Sequence, residues 1–355
     1  MFSFRTTALE DQLDRALLDG KVGCFCTPNC WDPRHGRYMH EIFVRRRNLA
    51  AHFRPTSSEL SPSTERIEFS PDALRSLDAV VVEVQDVGTR SFGRTRDVMR
   101  LMEALRDLGD EAPAMYVADH LNPLGRVVEG TLPSSECMEG IPKVTHRHGL
   151  TLGELCCLFY SEIGAKFPLH IISAHASDSS RQLLPWTIAP SSDIPGMFSS
   201  YMYVGGCLWK ETSITPGLGT ARPYEYIGAP FIRHRALDSL PAPEGVLMRP
   251  CSFTPSYGPY AGESCNGYQI ILTPGTEYRS LLHTLQLMRW FSERYSQFEL
   301  YEGFFGMLAD PVLVKYITGH ISFQEMREHM KTEEQKWIRK AKRFCLYGDL
   351  PYRIK

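Results

Sequence analysis

Seven carboxylates, Glu83, Asp86, Asp119, Glu129, Glu211, Glu225 and Glu263, fall in stretches of this 355-residue chain that are punctuated by glycine, proline or aromatic residues. Such a set suits general acid and base work on a glycosidic bond. One carboxyl group protonates the leaving oxygen there, and a second activates water or stabilises the oxocarbenium. Any single one of them also fits a turn cap or an arginine partner. Gly217, Leu218 and Gly219 precede Thr220, Ala221, Arg222 and Pro223, a flexible segment able to bring backbone amides and one guanidinium to a ligand oxygen, or to serve as an ordinary glycine loop. His146 and His148 flank Arg147. The adjacent cation disfavours a metal there, and no metal is expected. No GxGxxG follows the first strand, there is no GxxxxGK[ST], and no Gly-x-Ser-x-Gly elbow or Cys/His nucleophile context occurs, so no cofactor is expected.

The elements that must position these groups centre on Asp78 to Gly130. An apolar run ends at Glu83 to Asp86, a helical stretch follows, and a second apolar run ends at Asp119. This outlines a strand–helix–strand unit, with Val98, Leu101, Met102, Leu105 and Leu108 spaced to cover a sheet. Polar groups at the carboxyl edge of a parallel sheet line a crevice, which gathers Gln85, Asp86, Arg90, Asp119, Asn122 and Glu129. Upstream, a helix is predicted over Thr7 to Leu18 and a strand over Lys21 to Cys26, with Thr27, Pro28 and Asn29 ending that strand at the crevice. His40 to Arg47 reads as helix and Leu49 to Phe53 as strand, leading into the polar loop Arg54 to Glu65. Thr151 with Glu154 makes a capping box for a helix to about Ile163, followed by a fifth strand at Leu169 to Ala174. The fold class is therefore α/β, a Rossmann-like doubly wound parallel sheet over residues 1–180. Residues 181–355 read as a smaller, loop-rich α+β domain packed over the carboxyl edge. It has extended pieces at Ser200 to Val204 and Ile270 to Thr273 and helices at Tyr278 to Arg294 and Ser322 to Phe344.

Composition narrows the function classes. With 43% hydrophobic and 23% charged residues the chain can bury a large core. Its 39 basic and 41 acidic residues leave a net charge of −2, which gives no electrostatic reason to expect nucleic acid or a membrane surface as partner. The first twenty residues lack the apolar core of a signal peptide, and no run reaches the length of a membrane helix, so a cytoplasmic protein is expected. The ten cysteines show no paired CxxC spacing and read as reduced core thiols.

Five ordered blocks then resemble a known family. VQDVGTR (Val84 to Arg90), DHLNPLG with VEG (Asp119 to Gly125, Val128 to Gly130), RHGLTLGEL (Arg147 to Leu155), PGLGTARPYEYIGAP (Pro216 to Pro230) and FTPSYGPYAGESCNG (Phe253 to Gly267) are similar to the signature blocks of the exo-β-N-acetylmuramidase glycosidases. The resemblance implies a cleft between two domains that takes N-acetylmuramic acid from the non-reducing end of peptidoglycan fragments, so the expected partner is a small amino sugar or muropeptide. In the family a glutamate in a Gly-Pro-Glu-His-Gly loop looks like the catalytic acid. Here Arg54, Pro55, Thr56, Ser57 and Ser58 stand in that loop, with Thr56 at the glutamate's position and Glu59 three residues on. The family's Asp-Arg-Pro-Asn-Pro block has become Asp119, His120, Leu121, Asn122 and Pro123, and an asparagine is replaced by Asp193.

Three functional readings follow, the last being an enzyme of changed chemistry on another ligand. In the first, a glycosidase uses Glu59 as relocated acid with Asp86 or Glu129 as the second carboxylate, while Arg147, Arg222 and His148 grip the lactyl carboxylate and N-acetyl group. Asn29, Gln85, Arg90, Asp119, Asn122, Glu211 and Glu263 complete the expected binding set. In the second, a relative without turnover keeps the cleft and binds the sugar. Oligomeric state is not legible in the sequence.

Overall fold

Ala79–Glu83 carries three consecutive valines and buries every residue, which is what a strand covered on both faces requires. In the computed structural model, which describes residues 17, 19–31, 36–54, 67–134, 141, 143–172, 188–233 and 240–347, this run is the centre of a five-stranded sheet. The elements in chain order are β1 (Val22–Cys26), α1 (Met39–Arg46), β2 (Leu49–Phe53), α2 (Pro71–Arg75), β3 (Ala79–Glu83), α3 (Gly93–Leu108), β4 (Ala114–Ala118), α4 (Leu152–Glu162) and β5 (Leu169–Ile172). The strand order is β2-β1-β3-β4-β5, all parallel. The chain leaves β1 for one edge and returns to build the other, so the order reverses between β1 and β3. Ligands of doubly wound sheets bind at such a switch point, beyond the carboxyl ends of the strands.

The amphipathic helix α3 buries Val98, Met99, Leu101, Met102 and Leu105 against this sheet, as its spacing predicts. Thr151 caps α4 in a full capping box with Glu154, whose carboxylate also pairs with Arg126. The strand and helix expectations of the first half hold to within a residue among the described residues, and the last two residues of the predicted fifth strand, Ser173 and Ala174, lie outside them. The predicted helix from Thr7 lies almost entirely outside the described residues.

The second domain contains α5 (Met197–Gly206), β6 (Tyr226–Ala229), β7 (Val246–Phe253), β8 (Cys265–Leu272), α6 (Ser280–Arg294), α7 (Glu302–Leu308), α8 (Pro311–Ile317) and α9 (Phe323–Ala341). Its strands form an antiparallel sheet of order β6-β8-β7. Ser200 to Val204, expected to be extended, is helix α5. Its Tyr and Val content favours strand locally, but packing against α6 overrides that preference. The two helices approach closely because Gly205 has no side chain: a Cβ there would lie 2.5 Å from the Ser280 carbonyl oxygen. Helices α7 and α8 were not legible, since each spans only two turns.

The chain does not leave the first domain cleanly. Trp337 and Ala341 of α9 belong to the core of the parallel sheet, and the Trp337 indole donates to the His148 carbonyl at 2.8 Å. Conversely Val87, Phe92 and Leu124, from loops after β3 and β4, are buried in the second core beside Met202 and Tyr203. The two bodies are thus interleaved across the carboxyl edge. Among the described residues no helix is long and apolar enough to cross a membrane.

Candidate active site

The carboxyl edge of the sheet collects polar side chains because each strand there ends in an apolar run followed at once by polar residues. After β1 come Thr27, Asn29 and Cys30; after β3, Gln85 and Asp86; after β4, Asp119, His120 and Asn122. Most are buried, and their hydrogen bonds explain how they are tolerated.

Asp86 is 1% exposed. Its Oδ2 accepts the Gly88 amide at 2.6 Å and lies 3.2 Å from His148 Nε2, and its Oδ1 accepts the Thr95 hydroxyl at 2.7 Å. Gly88 occupies the left-handed region at φ +81°, where a Cβ would meet the Asn122 side-chain oxygen at 2.5 Å. Glycine is thus required for the turn that Asp86 stabilises. Asn122 itself accepts the Leu124 amide and donates to the Leu150 carbonyl. Gln85 donates to the carbonyls of Asp86 and Leu121.

Asp119 has both oxygens fully engaged. Its Oδ1 accepts the amides of His120 and Gly153, and its Oδ2 accepts the hydroxyls of Thr151 at 2.6 Å and Tyr347 at 2.8 Å. Burial pushes its pKa up to about 6 against the pull of those donors. Beside it, His120 Nε2 lies 3.1 Å from Glu83 Oε1 and 3.8 Å from Cys30 Sγ, and Cys30 Sγ is 3.3 Å from the Thr27 hydroxyl.

Glu129 and Arg147 face each other as an antiparallel backbone bridge. The Glu129 side chain is fully buried. One oxygen accepts the Leu282 amide at 2.9 Å and the other meets no hydrogen-bond donor among the described residues. Burial raises its pKa, and Arg279, with Nε 4.0 Å away, opposes that. Arg147 donates to the carbonyls of Leu124 and Tyr278 and lies over the Tyr201 ring. His148 accepts the Leu150 amide on Nδ1. Arg90, wholly buried, donates to the carbonyls of Thr131, Val144, Met307 and Leu308 and meets His146 Nε2 at 2.9 Å. Burial and that guanidinium hold His146 neutral, its pKa well below the ordinary value.

From the second domain, Asp193 accepts Lys210 Nζ at 2.7 Å, the Tyr224 hydroxyl at 3.0 Å and the Ser191 hydroxyl at 2.6 Å. Lys210, foremost among these donors, holds the Asp193 carboxyl below its usual range even though burial opposes it. Lys210 also stacks over Tyr203, whose hydroxyl reaches the Ser91 carbonyl of the first domain at 3.2 Å. Lys210 carries no motif of its own, and Tyr224, though it lies within the PGLGTARPYEYIGAP block, was given no role by the sequence.

The remaining expected site residues are placed differently. Arg222 pairs with Glu225 at 3.2 Å with more than half its side chain in solvent, and Glu263 is exposed in the loop between β7 and β8. The Glu211 carboxylate lies against Gly303 in the first turn of α7. Glu59 and Thr56 lie outside the described residues. Asn29 buries its side-chain amide with neither atom meeting a partner among the described residues. A cavity of about 730 Å³ opens farther along the second domain, lined by Pro241 to Val246, Thr273 to Arg279 and Phe323. Its Arg279 also reaches Glu129 and pairs with Glu334 of α9.

Residues 62–197 match the N-terminal part of exo-β-N-acetylmuramidase NamZ, and residues 201–347 match its C-terminal part. The chain is 30% identical over 292 residues to the peptidoglycan β-N-acetylmuramidase NamZ of Bacillus subtilis, covering 78% of this chain and 69% of that protein. Two DUF1343 family proteins of Bacteroides fragilis share the fold. One has a TM-score of 0.82 at 20% identity, over 97% of this chain and 98% of the other. The second has a TM-score of 0.71 at 19% identity, over 93% and 95%.

Proposed function

The chain belongs to the exo-β-N-acetylmuramidase family, and from that premise we propose that it hydrolyses the glycosidic bond of N-acetylmuramic acid, or a related amino sugar, at the non-reducing end of peptidoglycan fragments. The observation that carries this reading is the two-part family match, which takes in the sheet edge from β3 to β5 and the domain interleaved with it. The free thiols of the buried cysteines suit a reducing cytoplasm, where such fragments would be turned over.

In this reading Glu59 is the proton donor. Asp86 and Asp119 have every oxygen engaged, and Glu129 is wholly buried. The charge of Asp86, fixed by Gly88 and Thr95, offsets the positive charge that develops on the sugar ring. Arg222, only loosely paired, can turn to the lactyl carboxylate. Asn29 offers a buried amide for the N-acetyl group. Arg147, His148 and Arg90 hold the loops that carry these groups. Thr56, at the family glutamate's position, favours a second reading, in which the chain binds the sugar without turning it over.

The test is incubation with a chromogenic N-acetylmuramide and with the disaccharide of N-acetylmuramic acid and N-acetylglucosamine, alongside Glu59→Gln. Release that is abolished in the variant supports hydrolysis through Glu59. No release, with sugar binding measurable by calorimetry, establishes the second reading and refutes the first.

A further inference from the structure

We propose that Cys30, Glu83 and His120 form a binding site for one thiophilic divalent cation, zinc by preference, at the switch point of the parallel sheet. The three come from three different strand ends: Cys30 from the turn after β1, Glu83 as the last residue of β3, and His120 two residues beyond β4. All are buried, and one ligand atom from each lies within 4.8 Å of the others.

The separations are those of a metal's coordination shell. Zinc bonds of about 2.3 Å to sulfur and 2.0–2.1 Å to nitrogen or oxygen, arranged tetrahedrally, put S and N about 3.6 Å apart and N and O about 3.3 Å apart. Here Cys30 Sγ to His120 Nε2 is 3.8 Å and His120 Nε2 to Glu83 Oε1 is 3.1 Å. One thiolate, one imidazole and one carboxylate make a mixed set that zinc accepts, leaving a fourth position for water or a ligand oxygen. An outer shell is present too. The Thr27 hydroxyl accepts the Gln85 amide at 3.2 Å, which leaves its own proton for the Cys30 sulfur at 3.3 Å. Binding forms a metal–sulfur bond and releases the Cys30 thiol proton to solvent.

A neighbouring group, Cys26, His40 and His52, is also compact, with Cys26 Sγ 3.5 Å from His40 Nδ1. Its two imidazoles, however, are stacked with centroids 4.2 Å apart and planes 27° from parallel. Lone pairs lie in the ring planes, so rings stacked in this way do not converge on one ion.

The site stands independently of the glycosidase reading, because its readout is metal binding. Chelator-stripped protein titrated with zinc is expected to take up one ion per chain, and X-ray absorption of the zinc-loaded wild type to show one sulfur among nitrogen and oxygen neighbours. Cys30→Ser and His120→Gln should each weaken binding more than about 100-fold, beyond the 10- to 100-fold that outer-shell changes cost, and Thr27→Val about 10-fold. Cys26→Ser should bind as wild type. Cobalt in place of zinc should give a thiolate charge-transfer band that is lost in Cys30→Ser. The proposal is overturned if the wild type takes up no stoichiometric zinc, if the absorption spectrum requires two imidazoles, or if Cys26→Ser abolishes binding while Cys30→Ser retains it. In the first of these cases His120 simply donates to Glu83 beside a thiol.

Discussion

Arg90 Nη2 donates to the Leu308 carbonyl at 2.6 Å across 218 residues of chain, from a guanidinium with no exposure to solvent. The arginine of the VQDVGTR block fastens the first domain to the end of α7 and to the loop that carries His146. Arg90→Met leaves several buried carbonyls without donors. It is expected to cost about 3 kcal/mol in urea-induced unfolding. Sugar affinity of the variant that remains folded should be nearly unchanged; a specific loss of sugar binding at full stability would return Arg90 to the ligand.

Asp119 gives a pH signature. Its folded pKa, about 6, lies above the ordinary carboxylate value of roughly 3.9. The native state therefore binds more protons than the unfolded chain between those values, and stability from this group falls as pH rises from about 4 to 6. The full effect is about 3 kcal/mol, at 1.36 kcal/mol per unit. Denaturation at closely spaced pH values should show this slope in the wild type and its loss in Asp119→Asn.

The Asp193–Lys210 pair makes an opposite case. The depressed Asp193 pKa contributes stability that is present above the ordinary carboxylate value and lost as pH falls through the folded one. Lys210→Met leaves a nearly buried carboxylate without its cation, at a cost of about 3 kcal/mol near pH 7. That gap should narrow on acidification, because a protonated Asp193 needs no cation. Unfolding curves at pH 7 and pH 4 would reveal it, and an equal gap at both would refute the assignment.

Gly205→Ala forces a methyl group to within 2.5 Å of the Ser280 carbonyl oxygen. Helices α5 and α6 must separate, and a loss of about 2 kcal/mol is expected in thermal or chemical unfolding. The usual helix-stabilising effect of a Gly to Ala change, up to about 1 kcal/mol, should not appear. A rise in Tm would contradict the close crossing.

Local signals sufficed wherever the periodicity of the chain and its structure coincide. The runs Val22–Cys26, Ala79–Val82 and Ala114–Ala118 are apolar throughout because both sheet faces are covered, and Thr151 with Glu154 fixes the start of α4 through bonds spanning three residues. With these, the sequence alone determined the doubly wound sheet and the crowding of polar residues at its carboxyl edge, and its ordered motifs pointed to the family. What each of those residues does was decided by partners far along the chain. Asp119 meets Tyr347, Arg90 meets Leu308, His148 meets Trp337, and Cys30 meets His120. Ser200 to Val204 became helix because α6 was there to bury it. A carboxylate or guanidinium has the same letter whether it faces a ligand or holds a loop, and only the folded chain brings in the donor, the acceptor and the exclusion of water that separate the two.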